Sequence, residues 1–137
     1  MQELIERILH CRTFGVVGAS RDTQKYGYLV YRSLKNSGKT VYAINPRADE
    51  IDGDRCYPAL ESLPAVPEVV VFVVPPAVTE EVVLECARLG IKHVWMQEGA
   101  ESAEAVRRCE QAGIGVVYGS PCIMVALRTH GLWKHHG

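Results

Sequence analysis

The sequence predicts an α/β domain built on a parallel sheet with helices on both faces. Three observations predict it. β-Branched apolar runs begin near residues 14, 40, 68, 92 and 114, with helical patterns between most neighbours. That alternation implies parallel strands joined by right-handed crossovers. The run EVVVFVV, 68–74, is apolar without alternation, as expected of a strand covered on both faces. The stretch FGVVGASRDTQKYG, 14–27, carries an apolar strand into a Gly-Ala-Ser turn and a polar loop, the kind of strand-to-helix junction that holds phosphate. Together these specify one doubly wound domain of Rossmann type over residues 1–137, with five parallel strands ordered 3-2-1-4-5.

The elements follow in order. Leu4, Ile5, Ile8 and Leu9 recur with a helical period over residues 1–11. TFGVVG is the first strand. Val30, Tyr31 and Leu34 mark the inner face of a helix from Gly27 that closes at Ser37-Gly38. TVYAIN, 40–45, is the second strand, stopped by Pro46. Residues 46–68 read as looser, with a turn at Asp52-Gly53 and one short helical turn within ALESLPAVP. The third strand, 68–74, ends at Pro75-Pro76. A helix then runs to Gly90 with Thr79 as its N-cap and Val83, Cys86 and Ala87 facing inward. KHVWMQ, 92–97, is strand four, and SAEAVRRCEQAG, 102–113, is a helix capped by Ser102. IGVVYG, 114–119, is strand five, and residues 120–137 form a tail with a helical patch at 123–127.

Composition narrows the function classes. The chain has 137 residues, 47% apolar and 23% charged, the profile of an ordinary globular protein. Its net charge of -1 argues against nucleic acid as a partner. No apolar run approaches the roughly 18 residues of a membrane span, and the mixed charge of MQELIERILHC is unlike a signal peptide. The five cysteines form no CxxC pair, which argues for reduced thiols in a cytoplasmic protein and against a zinc site.

In doubly wound sheets, ligands bind beyond the carboxyl ends of the strands. That rule selects Gly18, Ala19 and Ser20; Asn45, Pro46 and Arg47; Val74, Pro75 and Pro76; Gln97, Glu98 and Gly99; and Gly119, Ser120, Pro121 and Cys122. Gly18 permits a sharp turn without a Cβ. The amides of Ala19 to Asp22, the Ser20 hydroxyl and the following helix N-terminus can donate to a pyrophosphate, and Lys25 adds a cation. Serine replaces the second glycine of the usual dinucleotide fingerprint, and Gly27 comes late, so the loop is not a standard NAD loop. An NAD site also places an acid after the second strand, where this chain has Asn45-Pro46-Arg47. An arginine there suits a phosphorylated ribose, either the 2′-phosphate of NADP or the 3′-phosphate of coenzyme A. Val74-Pro75-Pro76 offers an apolar wall suited to adenine or a pantetheine arm.

Four motifs stand in order at the strand ends: VVGAS with Lys25 and Gly27, INPR, VVPP, and Trp95, Gln97, Glu98, Gly99 and Ala100 of WMQEGA. With them the chain resembles the small CoA-binding proteins related to the α-subunit of succinyl-CoA synthetase, over about residues 3–125. The resemblance implies coenzyme A or acyl-CoA as ligand. It implies that Gly18-Ala19-Ser20 and Lys25 hold the pyrophosphate and that Arg47 meets the 3′-phosphate region. Val74, Pro75 and Pro76 would line the adenine and pantetheine path, with Gln97, Glu98 and Gly99 along the arm. GSPC, 119–122, partly matches the synthetase segment near the cofactor thiol. The synthetase's phosphorylated histidine lies in a second domain, so binding is implied and acyl-CoA synthesis is not.

The expectation is therefore a CoA-binding or regulatory protein without catalytic residues or metal. An NADP-dependent reductase or nucleotide sensor is the alternative. A protein partner or homo-oligomer stays open. Cys122 reads either as a thiol able to form a mixed disulfide with the ligand or as an inert small residue. Cys86 and Cys109 read as core. His130, His135 and His136 read as a solvated tail, not a metal set.

Overall fold

A computed structural model of the chain describes residues 1–132. The elements in chain order are α1 (Gln2–Leu9), β1 (Thr13–Val17), α2 (Tyr26–Asn36), β2 (Thr40–Ile44), β3 (Glu50–Ile51) and β4 (Asp54–Tyr57). A 3₁₀ turn at Leu60–Ser62 leads to β5 (Val69–Phe72), α3 (Pro76–Leu89), β6 (His93–Met96), α4 (Ala103–Gln111), β7 (Gly115–Tyr118) and α5 (Ile123–Thr129).

The sheet has seven strands in the order β3-β4-β2-β1-β5-β6-β7, not five. All neighbours are parallel except the antiparallel pair β3 and β4. Counting only the parallel strands along the chain, their order is 3-2-1-4-5-6, that of the doubly wound dinucleotide fold. The expected order of 3-2-1-4-5 placed EVVVFVV outside the second strand. That position belongs to β4, and EVVVFVV lies on the other side of β1 as β5. β4 escapes a reading by hydrophobic pattern because it is four residues long, DRCY, and only Cys56 is buried. The Asp52-Gly53 turn is the tip of the hairpin joining it to β3.

Two apolar layers flank the sheet. Val69 and Val71 of β5 pack with residues of α1, α2 and α5, and Val70 and Phe72 with residues of α3 and α4. Alternate side chains thus enter opposite cores, which is why this strand shows no polar alternation. Cys86 and Cys109 lie fully buried in the second layer. Burial, reinforced by Glu110, pushes the Cys109 thiol up to about 12, and burial raises Cys86 further.

Three local expectations change. α3 begins at Pro76, with Pro75 as N-cap, because proline is pre-set for the first helical position. Thr79 is therefore not a cap but a fully buried residue inside the first turns. Ala87 faces solvent, since the inward stripe is Thr79, Val83 and Cys86. His130 is not simply solvated: Nδ1 lies 2.9 Å from the Ala126 carbonyl and Nε2 lies 3.9 Å from a Glu6 carboxylate oxygen on α1. His135 and His136 lie outside the described residues. No helix among the described residues is long and apolar enough to cross a membrane.

The β3–β4 hairpin is tied to α2 by polar bonds. Tyr31 Oη and Lys35 Nζ donate to Asp54 Oδ2 at 2.7 and 2.8 Å, and Tyr28 Oη donates to Asp52 at 2.8 Å. The bonds from Lys35 and then Tyr31 hold the Asp54 carboxyl below its ordinary value of 3.8. A depressed carboxyl stabilises the native state above its unfolded pKa and loses that contribution as pH falls through the folded value. Urea midpoints measured at about pH 7 and about pH 3 are expected to fall further in the parent than in Asp54→Asn. Equal falls would show that this carboxyl contributes nothing to acid sensitivity.

Candidate ligand-binding cleft

The winding of the sheet reverses between β1 and β5, and their carboxyl ends open a cleft. Gly18 leaves β1 at φ 98° and its N–H donates to the Ile44 carbonyl at 3.0 Å. Gly27 lies in the first turn of α2. A Cβ there would fall inside contact distance of the Gly18 carbonyl, so its absence lets the helix start against the turn. Between them the loop is internally bonded. Asp22 N–H donates to Ser20 Oγ and Gln24 N–H to Asp22 Oδ1, each at 3.0 Å. The Asp22 amide is thereby spent within the loop and is not a free donor to a phosphate, contrary to the sequence expectation. Gly18, Ser20, Lys25, Tyr26, Gly27, Asn45 and Val73 line a cavity of about 330 Å³ at the N-terminus of α2.

Asn45 follows β2 and acts as a brace. Its N–H donates to the Tyr57 carbonyl at 2.9 Å and its Nδ2 to the Ala19 carbonyl at 2.8 Å. Its Oδ1 accepts the Arg47 N–H at 2.9 Å. One side chain thus joins the loop after β1 to the loop after β2. The Arg47 side chain is exposed and has no partner among the described residues. Gly18, Lys25, Asn45, Pro46 and Arg47 line one part of a second cavity, of about 500 Å³. The rest is largely apolar: Ile44, Pro58, Leu60, Val74, Val78 and Val82, with Glu85 among them.

Val74 and Pro75 line this cavity and also a smaller one with Glu98 and Gly99. Beyond β6, Gln97 is buried. Its Oε1 accepts the Ile123 N–H at 2.9 Å, and its Nε2 donates to Cys122 Sγ at 3.2 Å. Gln97 therefore caps α5, a short helix whose own N-cap residue, Cys122, makes no capping bond. Tyr26, Val73, Gln97, Glu98, Gly99 and Cys122 line a fourth cavity, of about 460 Å³. Gly99 N–H donates to Glu101 Oε1 at 2.8 Å, and the Glu98 side chain is exposed without a hydrogen-bond partner among the described residues.

Of the residues selected from the sequence, all line these adjoining cavities except Ala19, Pro76 and the three that precede Cys122, namely Gly119, Ser120 and Pro121. Ala19 is fully buried and offers its carbonyl to Asn45, and Pro76 opens α3. The sequence reading missed Tyr26, Val73, Leu60, Val78, Val82 and Glu85. Val78, Val82 and Glu85 recur at helical spacing, a legible signal once α3 is begun at Pro76. Leu60 comes into view only when β4 is recognised.

A doubly wound α/β domain with its cleft at the reversal of winding is the class that this architecture defines. Within it, the chain belongs to the CoA binding domain family, whose model matches residues 12–128. The α-subunit of an ADP-forming acetate–CoA ligase II from Pyrococcus furiosus is 28% identical over 138 residues, covering 93% of this chain and 30% of the relative. The chain spans less than a third of the length of the curated relatives it matches. Among solved structures, a conserved hypothetical protein from Pyrococcus furiosus is 43% identical with a TM-score of 0.79, over 83% of this chain and 97% of the other. A hypothetical protein from Pyrococcus horikoshii is 32% identical with a TM-score of 0.89, over 94% and 91%.

Proposed function

We propose that the chain binds coenzyme A or an acyl-CoA along this cleft and acts as a binding or regulatory unit. The observation that carries the reading is Arg47, a cation without a partner among the described residues, after β2 where an NAD site would hold an acid, lining one cavity with Lys25. The 500 Å³ cavity takes the adenine, with Arg47 at the ribose phosphate. The turn at Gly18, the N-terminus of α2 and Lys25 take the pyrophosphate. The arm passes Val74 and Pro75 toward Gln97, Glu98 and Gly99, with its thiol end near Cys122. Family membership supports the ligand. A non-catalytic role is supported by Cys122, whose sulfur accepts from the Gln97 amide rather than facing a base.

Thermal unfolding with CoA, acetyl-CoA and NADP tests the proposal. CoA at a hundredfold excess over its Kd is expected to stabilise the native state by about 2.7 kcal/mol, since it binds only the folded chain. No stabilisation by CoA or acetyl-CoA overturns the proposal. Stabilisation by NADP alone would replace it with a reductase or nucleotide sensor that uses the same arginine.

A further inference from the structure

One acid stands in the apolar part of the 500 Å³ cavity. Glu85 lies seven residues after Val78 and three after Val82 on α3, so the three share one face of the helix. That face meets the cavity together with Ile44 and Leu60. Glu85 Oε1 is buried and accepts no hydrogen bond among the described residues. Lys25 and Arg47 line the same cavity, yet neither pairs with it. Arg88, one helical turn on, lies 3.6 Å from Glu61 instead. Burial, with Glu61 adding to it, raises the Glu85 pKa above its ordinary value.

Buried acceptors are costly to leave unpaired, so the buried oxygen of this half-buried side chain suits a donor placed in the cavity. A phosphate cannot supply one, because both groups are acceptors and both carry negative charge. Ribose hydroxyls can donate, but they do not fill an apolar slot. A flat ring that packs on Val78, Val82, Leu60 and Ile44 and carries an N–H on its edge meets both demands.

We infer that Glu85 accepts a hydrogen bond from the exocyclic amine of the ligand's adenine, and so makes the cavity select a 6-aminopurine over a 6-oxopurine. The inference rests on the CoA reading above. In the same pose, a 6-oxo group would set an oxygen against the Glu85 oxygen, two acceptors with no proton between them.

Calorimetric titration of the parent chain, Glu85→Ala and Glu85→Gln with CoA and with its hypoxanthine analogue (the 6-amino group replaced by oxygen) tests this. The parent is expected to bind CoA at least about tenfold more tightly than the analogue. Glu85→Ala is expected to lose about tenfold in CoA affinity while keeping its affinity for the analogue, so the preference disappears. Glu85→Gln, whose amide can donate as well as accept, is expected to bind the analogue more tightly than the parent does. Retained binding of the analogue separates this result from misfolding. A parent that shows no preference, or a preference unchanged in both variants, overturns the inference and leaves the CoA reading standing. A parent that binds neither compound overturns both.

Discussion

Gly18→Ala is expected to cost the native state about 3 kcal/mol or more, with a drop in Tm on the order of 10 °C. Two causes act at one atom. Gly18 has φ 98°, a conformation in which any L side chain is strained. A Cβ there would also intrude on the Val73 carbonyl and come within 2.8 Å of Val74 Cγ1. Neither neighbour can yield easily, since Val73 N–H is bonded to the Val17 carbonyl and the strands beside the turn are packed on both faces. Gly38→Ala separates the two causes. Gly38 has φ 90°, but among the described residues no atom lies within 4 Å of where a Cβ would stand, so it should lose only the strain, about 1 kcal/mol. Chemical denaturation of the two variants checks this. Equal losses would assign the whole effect at Gly18 to backbone strain, and a Gly18→Ala variant as stable as the parent would contradict the crowding altogether.

Arg47→Ala is expected to weaken CoA by roughly 1–3 kcal/mol, a factor of about 5 to 150, while leaving dephospho-CoA almost unaffected. The guanidinium has no partner to lose among the described residues, so its removal should leave folding intact and act on the ligand alone. Comparing the two ligands isolates the 3′-phosphate, the one group by which they differ. Equal weakening of both would show that Arg47 contributes a general positive field and does not read that phosphate. Raising the salt should shrink the effect, because an exposed pair is screened.

Much of this architecture is legible from the residues. Strands covered on both faces announce themselves as apolar runs, and EVVVFVV needs no structure to be recognised. The cleft follows from topology, so its members at Gly18, Arg47, Pro75 and Gln97 can be selected before any contact is known. β4 cannot be read this way, because Asp54 and Arg55 owe their place to pairing with β3, and Asp54 also to Tyr31 and Lys35, while Cys56 and Tyr57 pair with β2. Those are tertiary relations that leave no local period. Without β4 the strand order comes out as 3-2-1-4-5, and the Pro58–Leu60 wall of the cavity leaves no signal. Asn45 shows a different limit. Its type and position mark it as a site residue, but only the geometry reveals that two of its polar groups are occupied by the protein's own backbone.

The Asn45 brace has a consequence for how the cleft meets a ligand. Three segments converge on this residue: the turn after β1, the turn after β2, and the end of β4. The Gly18–Ser20 turn and the Arg47 segment are thus held in register before anything arrives. A molecule that bridges them finds less backbone freedom to quench, so more of its contact energy survives as affinity. The same tether sets a limit on adaptability: a ligand whose phosphates are spaced differently cannot be met by moving one turn without the other.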